Sequence, residues 1–287
     1  MTQSTCTAPA PLPLEPLVPL SHGFRPGAWL TVLRLSVEQF VRGRRLLALA
    51  ALFFLPTLIV IAARYGNPNY PKQVAKIEEL LVFYMIPQAL LPLTALILAS
   101  GIIRDEEEGQ TLTYLLIRPI PRPSIYIAKL LAAWIVAAGL AAVFTTVTLA
   151  AIHWGQPDFW GTVIPARALK IAALGALGLW VYVVLFGGVS LVVRWVLPLG
   201  VSYIALFEGV FANIDFTFRR VTVLWYVRIL AERWLGLHVD SWSIDLEEAP
   251  GGVEALATLL IASLVIAALS AWRFGTREIR MKTPEGS

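Results

Sequence analysis

The stretch LLVFYMIPQALLPLTALILASGII, residues 80–103, contains 24 positions and not one charged side chain. A helix of this length rises ~1.5 Å per residue and can cross a hydrocarbon core of ~30 Å. The chain as a whole is 57% hydrophobic and 15% charged, whereas charged residues make up about 25% of an ordinary soluble domain. The sequence therefore predicts an integral membrane protein.

Five other stretches are similarly apolar and long. The predicted spans cover about residues 46–64, 80–103, 129–153, 169–193, 195–214 and 253–273. Since helices satisfy their own backbone hydrogen bonds in lipid, we expect an all-α protein with six transmembrane helices. These lie in a single transmembrane domain, residues 25–283, followed by a short tail, residues 284–287.

Two features predict which side each end lies on. Residues 1–24 contain the proline-rich stretch APAPLPLEPLVPL without a basic region, which is typical of a disordered tail and not of a signal peptide. If this tail is cytoplasmic, 14 of the 23 Lys and Arg residues fall on the cytoplasmic side. We therefore expect a multi-pass protein of the plasma (inner) membrane with both termini in the cytoplasm.

The segment before the first span, WLTVLRLSVEQFVRGRR (residues 29–45), has apolar residues at helical spacing on one side and Arg34, Glu38, Arg42 and Arg45 on the other. This pattern predicts an amphipathic helix lying in the inner headgroup layer. A cytoplasmic extension of the first span, whose arginines only set the topology, fits the pattern equally well.

Directly after span two comes RDEEEGQTLTYLLIRPIPRPSIYIAK, residues 104–129. Its four adjacent acids cannot all be buried, and we expect an exposed negative surface there. An aliphatic patch follows, and three prolines then forbid continued helix. The segment predicts a short amphipathic helix held at the cytoplasmic surface, with Ser124 as the N-cap of span three. An ordinary solvated turn would need neither the leucines nor the prolines.

This segment resembles the cytoplasmic motif of the ABC-2 type permeases of ATP-binding-cassette exporters. The matching residues are Glu107, Glu108, Gly109, Thr111, Leu112, Leu115, Leu116, Pro119, Ile120, Arg122 and Lys129. Gln110 departs from the motif by separating the glycine from the threonine. The resemblance covers about residues 28–283, including the six spans and the long loop between spans five and six.

The resemblance implies a permease that forms a translocation pathway as a dimer with a second copy of this or a related permease. Two copies of a separate ATPase subunit would drive it, docking on residues 104–122. Glu106, Glu107, Glu108, Gly109, Thr111, Leu112, Leu115, Leu116, Pro119 and Arg122 would form this coupling segment. The chain has no GxxxxGK[ST] phosphate loop. We therefore expect no enzyme activity and no cofactor on this chain, with ATP and Mg²⁺ on the partner ATPase.

Glu208 lies inside the fifth predicted span, in YIALFEGVF, residues 203–211, which is similar to the fifth span of many such permeases. An ionisable group at this depth is costly, so a functional role is the default hypothesis. The alternative is that Glu208 pairs with Arg219 or Arg220 and shapes the following loop. That loop, residues 215–252, is predicted to be either re-entrant, as the resemblance implies, or a surface-lying amphipathic helix.

Other classes of function remain open or are disfavoured. The histidines fall in tails or loops and no HExxH or GxSxG motif occurs, which disfavours a membrane hydrolase. A secondary transporter is an alternative: the sequence shows no internal repeat, although Gly187, Gly188 and Pro198 are expected to interrupt spans four and five. A non-transporting membrane anchor of an ATPase-linked complex is another. Cys6 alone gives no disulfide or metal motif, and no pattern indicates nucleic acid; the partners expected are protein and membrane lipid.

Overall fold

The structure, a computed structural model, describes residues 26–66, 70–108, 121–155, 163–213, 217–237 and 247–276, with Val239, Trp242 and Ile244. Across these residues the chain is helical and has no strand. The α-helices are α1 (Pro26–Arg42), α2 (Arg44–Gly66), α3 (Tyr70–Glu78), α4 (Leu91–Glu108), α5 (Arg122–Ile152), α6 (Val163–Val192), α7 (Val196–Tyr203), α8 (Val223–Leu235) and α9 (Gly252–Thr276). Two π-helical segments, Glu79–Leu90 and Ile204–Val210, continue α3 and α7, and short 3₁₀ turns occupy Phe211–Asn213 and Thr217–Val221.

Six helical stretches are long and apolar enough to cross a membrane. They are span 1 (Arg44–Gly66), span 2 (Lys72–Ile102), span 3 (Arg122–Ile152), span 4 (Ile164–Val192), span 5 (Val196–Asn213) and span 6 (Gly252–Thr276). The prediction of an all-α membrane protein with six spans is confirmed. Because consecutive spans alternate in direction, span 1 begins and span 2 ends at the side of α1. We call this side the α1 end and the opposite side the far end.

Spans 2, 3 and 4 form the centre of the bundle. Their buried side chains make one continuous apolar cluster that includes Leu96, Tyr126, Leu130 and Phe186. In the most apolar part of span 2, 56% of the residues are buried, against 22% in spans 5 and 6. Spans 5 and 6 therefore leave most of their apolar surface to lipid or to another chain.

Glycines in spans 4 and 5 are sites of close helix packing. A Cβ at Gly187 would stand 2.7 Å from Leu130 of span 3, and one at Gly188 would stand 2.6 Å from Ser270 of span 6. Helix α6 runs without a break through both positions to Val192, so the expectation that they interrupt span four is wrong. Small residues let neighbouring helices approach, and this is their role here.

The prolines at the starts of α5 and α7 are tolerated because the first turn of a helix has no internal partners for its N–H groups. Pro198 lies in the first turn of α7, where a helix has no partner for its N–H groups, so it does not interrupt span five. The N-cap of α5 is Pro121, and Ser124 already lies in the first turn, with its N–H donating to Pro121 O at 3.0 Å. The prediction of Ser124 as N-cap is wrong because Pro123 is tolerated inside the first turn.

Helix α1 packs against the start of span 3. Val32 is buried against Ile125 and Ala128 of α5, and Trp29 Nε1 donates to Ser124 O at 3.0 Å. A bend at Gly43 separates α1 from α2. The predicted amphipathic segment is thus a separate helix in the structure, and its place in the headgroup layer stays a prediction.

We predict that Gly200→Ala destabilises the protein. A Cβ at Gly200 would collide with Leu96 of span 2, with Cδ2 at 2.7 Å and Cγ at 3.0 Å. Overpacking of this kind costs ~1–3 kcal/mol, and the midpoint of thermal unfolding in detergent should fall by several degrees.

The matched control is Gly139→Ala in span 3. Among the described residues no atom lies within 4 Å of a Cβ at this position. Both changes gain the same helix propensity of about 1 kcal/mol, so Gly139→Ala should hold or raise the midpoint. Equal midpoints for the two variants would contradict the packing role of Gly200.

Candidate functional site

The predicted coupling segment joins the ends of the two most central helices at the α1 end. Helix α4 continues past the end of span 2 to Glu108, so Glu106, Glu107 and Glu108 belong to its last turn. Helix α5 begins at Arg122. The other residues of the segment lie outside the described residues; they are Gly109, Thr111, Leu112, Leu115, Leu116 and Pro119.

At the far end, Glu208 is fully buried and binds the beginning of α8. The N–H groups of Val223 and Leu224 donate to its two carboxylate oxygens, each at 3.3 Å, and the Tyr203 hydroxyl donates to Oε1 at 3.3 Å. Val223 and Leu224 are the first two residues of α8, whose N–H groups have no partner within the helix. A carboxylate at this place satisfies both and meets the positive end of the helix dipole.

Arg228 of α8 makes the reciprocal contact with the end of span 5. Its guanidinium donates to Ala212 O at 3.2 Å and to Asn213 Oδ1 at 3.0 Å. It also lies over the rings of Tyr84 and Trp242, 5.2 and 5.7 Å from their centroids. Burial lowers the pKa of Arg228 from its ordinary value, and the electrostatic effects of Tyr84 and Glu208 oppose this shift. Each helix thus supplies a charged side chain that caps the other.

Neither of the basic residues considered as partners of Glu208 takes that place. The donors to its carboxylate are N–H and hydroxyl groups, while Arg219 lies 6.0 Å from the centroid of the Trp225 ring. The next free N–H of α8, that of Trp225, donates to the Thr222 hydroxyl at 3.4 Å. Glu208 and Thr222 together therefore satisfy the first three N–H groups of the helix.

Helix α8 packs deep against the bundle. Val227 approaches Gly178, where a Cβ would stand 3.6 Å from Val227 Cγ2. Gly178 is 14 residues from each end of span 4, so the contact is at the middle of that span. The C-terminal end of α8 is closed by Gly236 at φ 60°, in the left-handed conformation that glycine favours, and by Lys170 Nζ donating to Leu235 O at 3.1 Å.

A second buried polar cluster at the far end was not predicted from the sequence. Glu78, which is 5% exposed, pairs with Arg167 (Oε1–Nε 2.9 Å) and with His153 (Oε2–Nε2 3.2 Å). Nearby, Arg64 donates to Trp154 O at 2.6 Å. The cluster ties the ends of spans 1 and 3 and the start of span 4 to the start of span 2.

Sequence signals for these groups are weak because their partners are distant in the chain. Glu78 and Arg167, for example, are 89 residues apart in the sequence. His153 follows an apolar span and reads as a loop residue. Arg228 has a local signal, since it lies among the aromatic residues of LWYVRILAERW, residues 224–234. Aromatic neighbours of this kind favour a place at the membrane–water interface. They do not identify the carbonyl group to which Arg228 donates.

We predict that Glu208→Ala is strongly destabilising and Glu208→Gln only mildly so. Alanine leaves two buried N–H groups without acceptors, at ~1–3 kcal/mol each, whereas glutamine keeps one acceptor oxygen. The measurement is thermal unfolding of the purified chain, with limited proteolysis of residues 215–252. Glu254→Ala, which removes an exposed acid from the first turn of α9, is the control. A Glu208→Ala protein as stable as this control would show that the capping contacts contribute little.

For the second cluster we predict energetic coupling between Glu78 and Arg167. Removing Arg167 leaves the carboxylate of Glu78, whose side chain is 6% exposed, without this cation, whereas Arg167 is 35% exposed and partly solvated. In a double-mutant cycle of Glu78→Gln and Arg167→Gln, read by unfolding in denaturant, we expect the double variant to lose ~1–3 kcal/mol less than the sum of the singles. Additive losses would mean that the 2.9 Å pair has no net interaction.

Comparison with known proteins agrees with this architecture. The family model of the ABC-2 family transporter proteins matches residues 42–209, which include spans 1 to 4, the segment between spans 2 and 3, and span 5 as far as Gly209. Similarity also extends to the probable ABC transporter permease protein NosY of Pseudomonas aeruginosa, 35% identical over 112 residues. The match covers 37% of this chain and 38% of that protein. Because the family model covers more than half of its residues, this chain belongs to the ABC-2 family of transporter proteins.

Proposed function

We propose that this chain is the membrane permease of an ATP-driven exporter, pairing with a second permease and moved by a separate ATPase subunit that docks on residues 104–122. Membership of the family implies, in general, a permease partner and an ATPase partner. ATP and Mg²⁺ would be bound by the ATPase, and this chain would act as a non-catalytic subunit. The dimeric state, the direction of transport and the docking site are parts of the proposal.

The observation that carries the docking proposal is the place of the segment between two central helices. Helix α4 ends at Glu108 and α5 begins at Arg122, and the spans formed by these helices lie at the centre of the apolar cluster. A push or tilt applied at residues 109–120 is therefore applied to the helices that contact most of the bundle. Rigid helix movement of this kind can convert an inward-facing state into an outward-facing one.

The chemistry of the segment suits a protein groove. Three consecutive glutamates end α4, and they can meet basic residues on the rim of a partner. In the sequence an aliphatic patch follows them, which can seat in an apolar groove. The same end of the molecule carries α1 and the start of span 3, held together by the Trp29–Ser124 hydrogen bond.

Cavity size favours a pathway formed with a second chain. The cavity between spans 2, 3, 4 and α8, lined by residues such as Phe83, Ala141 and Leu224, has a volume of about 50 Å³. This is room for only a few water molecules. Exposed apolar side chains meanwhile cover spans 1, 5 and 6, including Leu58, Leu199 and Leu264. A second permease on these faces would both cover apolar surface and enclose a wider space.

The packing of α8 supports the re-entrant alternative for the loop between spans 5 and 6. Its Val227 contacts the middle of span 4, and its first N–H groups are capped by the buried Glu208 of span 5. A helix lying on the membrane surface would have water for these N–H groups, whereas Val223 and Leu224 are buried. We propose that α8 closes the far end of the pathway.

Charge reversal tests the docking site. We predict that Glu106→Lys/Glu107→Lys/Glu108→Lys lowers recovery of the co-purifying ATPase subunit at least about tenfold, since three attractive contacts at the rim become repulsive. The measurement is the ratio of ATPase to permease after mild solubilisation and capture of the tagged chain. Thermal unfolding should match that of the unaltered protein, because charges that the sequence predicts to lie in water contribute little to stability.

The control reverses three exposed acids at the far end, Glu247, Glu248 and Glu254. It has the same change in net charge and should retain the ATPase. If the variant at residues 106–108 also retains the ATPase, the electrostatic part of the docking proposal is wrong. If the unaltered chain is captured without any ATPase in several mild detergents, the proposed function itself is wrong.

A further inference from the structure

We propose that α8 and span 5 move as one unit when the far end opens, and that both separate together from span 4. This inference rests on the proposed function, in which α8 closes the far end of the pathway. Helix α8 has two neighbours from which it can part. Span 5 ends beside its first residues, and Val227 of α8 packs near Gly178 at the middle of span 4. The contacts with these two neighbours differ in kind.

The contacts between α8 and span 5 are buried hydrogen bonds that run in both directions. Glu208 of span 5 accepts from the first two N–H groups of α8, and Arg228 of α8 donates to Ala212 O and to Asn213 Oδ1 at the end of span 5. Glu208 is 0% exposed and Arg228 is 3% exposed. If α8 left span 5, two charged groups and the backbone groups that they bind would lose their partners in a poorly solvated place. Such groups are costly to leave unpaired.

The contacts between α8 and span 4 include apolar side chains that pack incompletely. A Cβ at Gly178 would stand 3.6 Å from Val227 Cγ2, and Ala231 packs in an apolar cluster with Ile171. The cavity of about 50 Å³ also lies at this boundary, with Gly175 and Val227 among its lining residues. Apolar side chains released from span 4 lose little where lipid or apolar cargo takes the place of that span, since lipid tails are as apolar as leucine.

A polar contact also crosses the boundary with span 4, but in a different setting. Lys170 Nζ donates to Leu235 O at 3.1 Å, and Lys170 is exposed. Water can replace a hydrogen bond of an exposed side chain at little cost. Separation of α8 from span 4 therefore costs less than separation from span 5, and α8 stays with span 5.

The test measures three distances within one chain. Cys6, the single cysteine, is replaced by serine, and cysteines for spin labels are placed in pairs at three exposed positions, Trp234 of α8, Val210 of span 5 and Leu169 of span 4. The complex with its ATPase is assembled from labelled chain and an excess of unlabelled chain, so that each distance is read within one chain. The distances are measured by pulsed electron spin resonance without nucleotide and with ATP and vanadate.

We expect the Trp234–Leu169 and Val210–Leu169 distances to change between the two conditions by about 2 Å or more, as in other helix shifts. The Trp234–Val210 distance should stay the same. A constant Trp234–Leu169 distance with a changing Trp234–Val210 distance would overturn the inference, because α8 would then stay with span 4. Three constant distances would also overturn it. Capture of the chain without any ATPase would overturn the proposed function and this inference together, whereas the distances contradict the inference alone.

A further set of variants tests the cause of the joint movement. Glu208→Ala removes the acceptor of the first N–H groups of α8, so the Trp234–Val210 distance should have a broader distribution than in the unaltered chain. Glu208→Gln, which keeps one acceptor oxygen and disturbs folding less, should give an intermediate width. Glu254→Ala, which removes an exposed acid from α9, is the control and should leave the distribution unchanged. Equal distributions in all three variants would mean that the caps do not join α8 to span 5.

Discussion

Inside a hydrocarbon layer, each backbone N–H and C=O group has to find its partner within the protein, since lipid tails offer none. Six helical spans meet this requirement along their length, but a helix that ends within the bundle does not. Helix α8 begins at buried residues beside span 5, and span 5 ends beside α8. The Glu208 carboxylate and the Arg228 guanidinium supply the missing partners in opposite directions. Burying these two charged groups is costly, and the backbone groups to which they hydrogen-bond explain why they are buried.

The same requirement accounts for the irregular turns. Pro87 cannot donate a hydrogen bond, and it lies in the π-helical segment Glu79–Leu90, where a wider turn absorbs the missing donor. The second π-helical segment, Ile204–Val210, contains Glu208. There, Gln88 Nε2 donates to Gly209 O at 3.3 Å, so span 2 completes the hydrogen bonding of span 5. In this second segment, irregular backbone is thus matched by a polar side chain from a neighbouring helix.

The two ends of the bundle are built differently. At the far end, ion pairs and caps fasten the spans and α8 to one another, as at Glu78 and Arg167. At the α1 end, α4 continues past the end of span 2 to Glu108, and α5 begins at Arg122 together with span 3. A far end closed by α8 and movements that start at the α1 end are parts of the proposed function.

The sequence by itself determined the six spans, because an uncharged run of about 20 residues has few alternatives to a transmembrane helix, and it determined the family through the motif around Glu107 and Leu115. It also indicated that Glu208 is unusual, since a carboxylate within an apolar stretch can be recognised from the sequence alone. Only the tertiary structure decided what Glu208 binds, that Gly187 and Gly188 pack helices, and that Glu78 meets Arg167. These contacts join residues distant along the chain, and the periodicity of a single helix has no information about its neighbours.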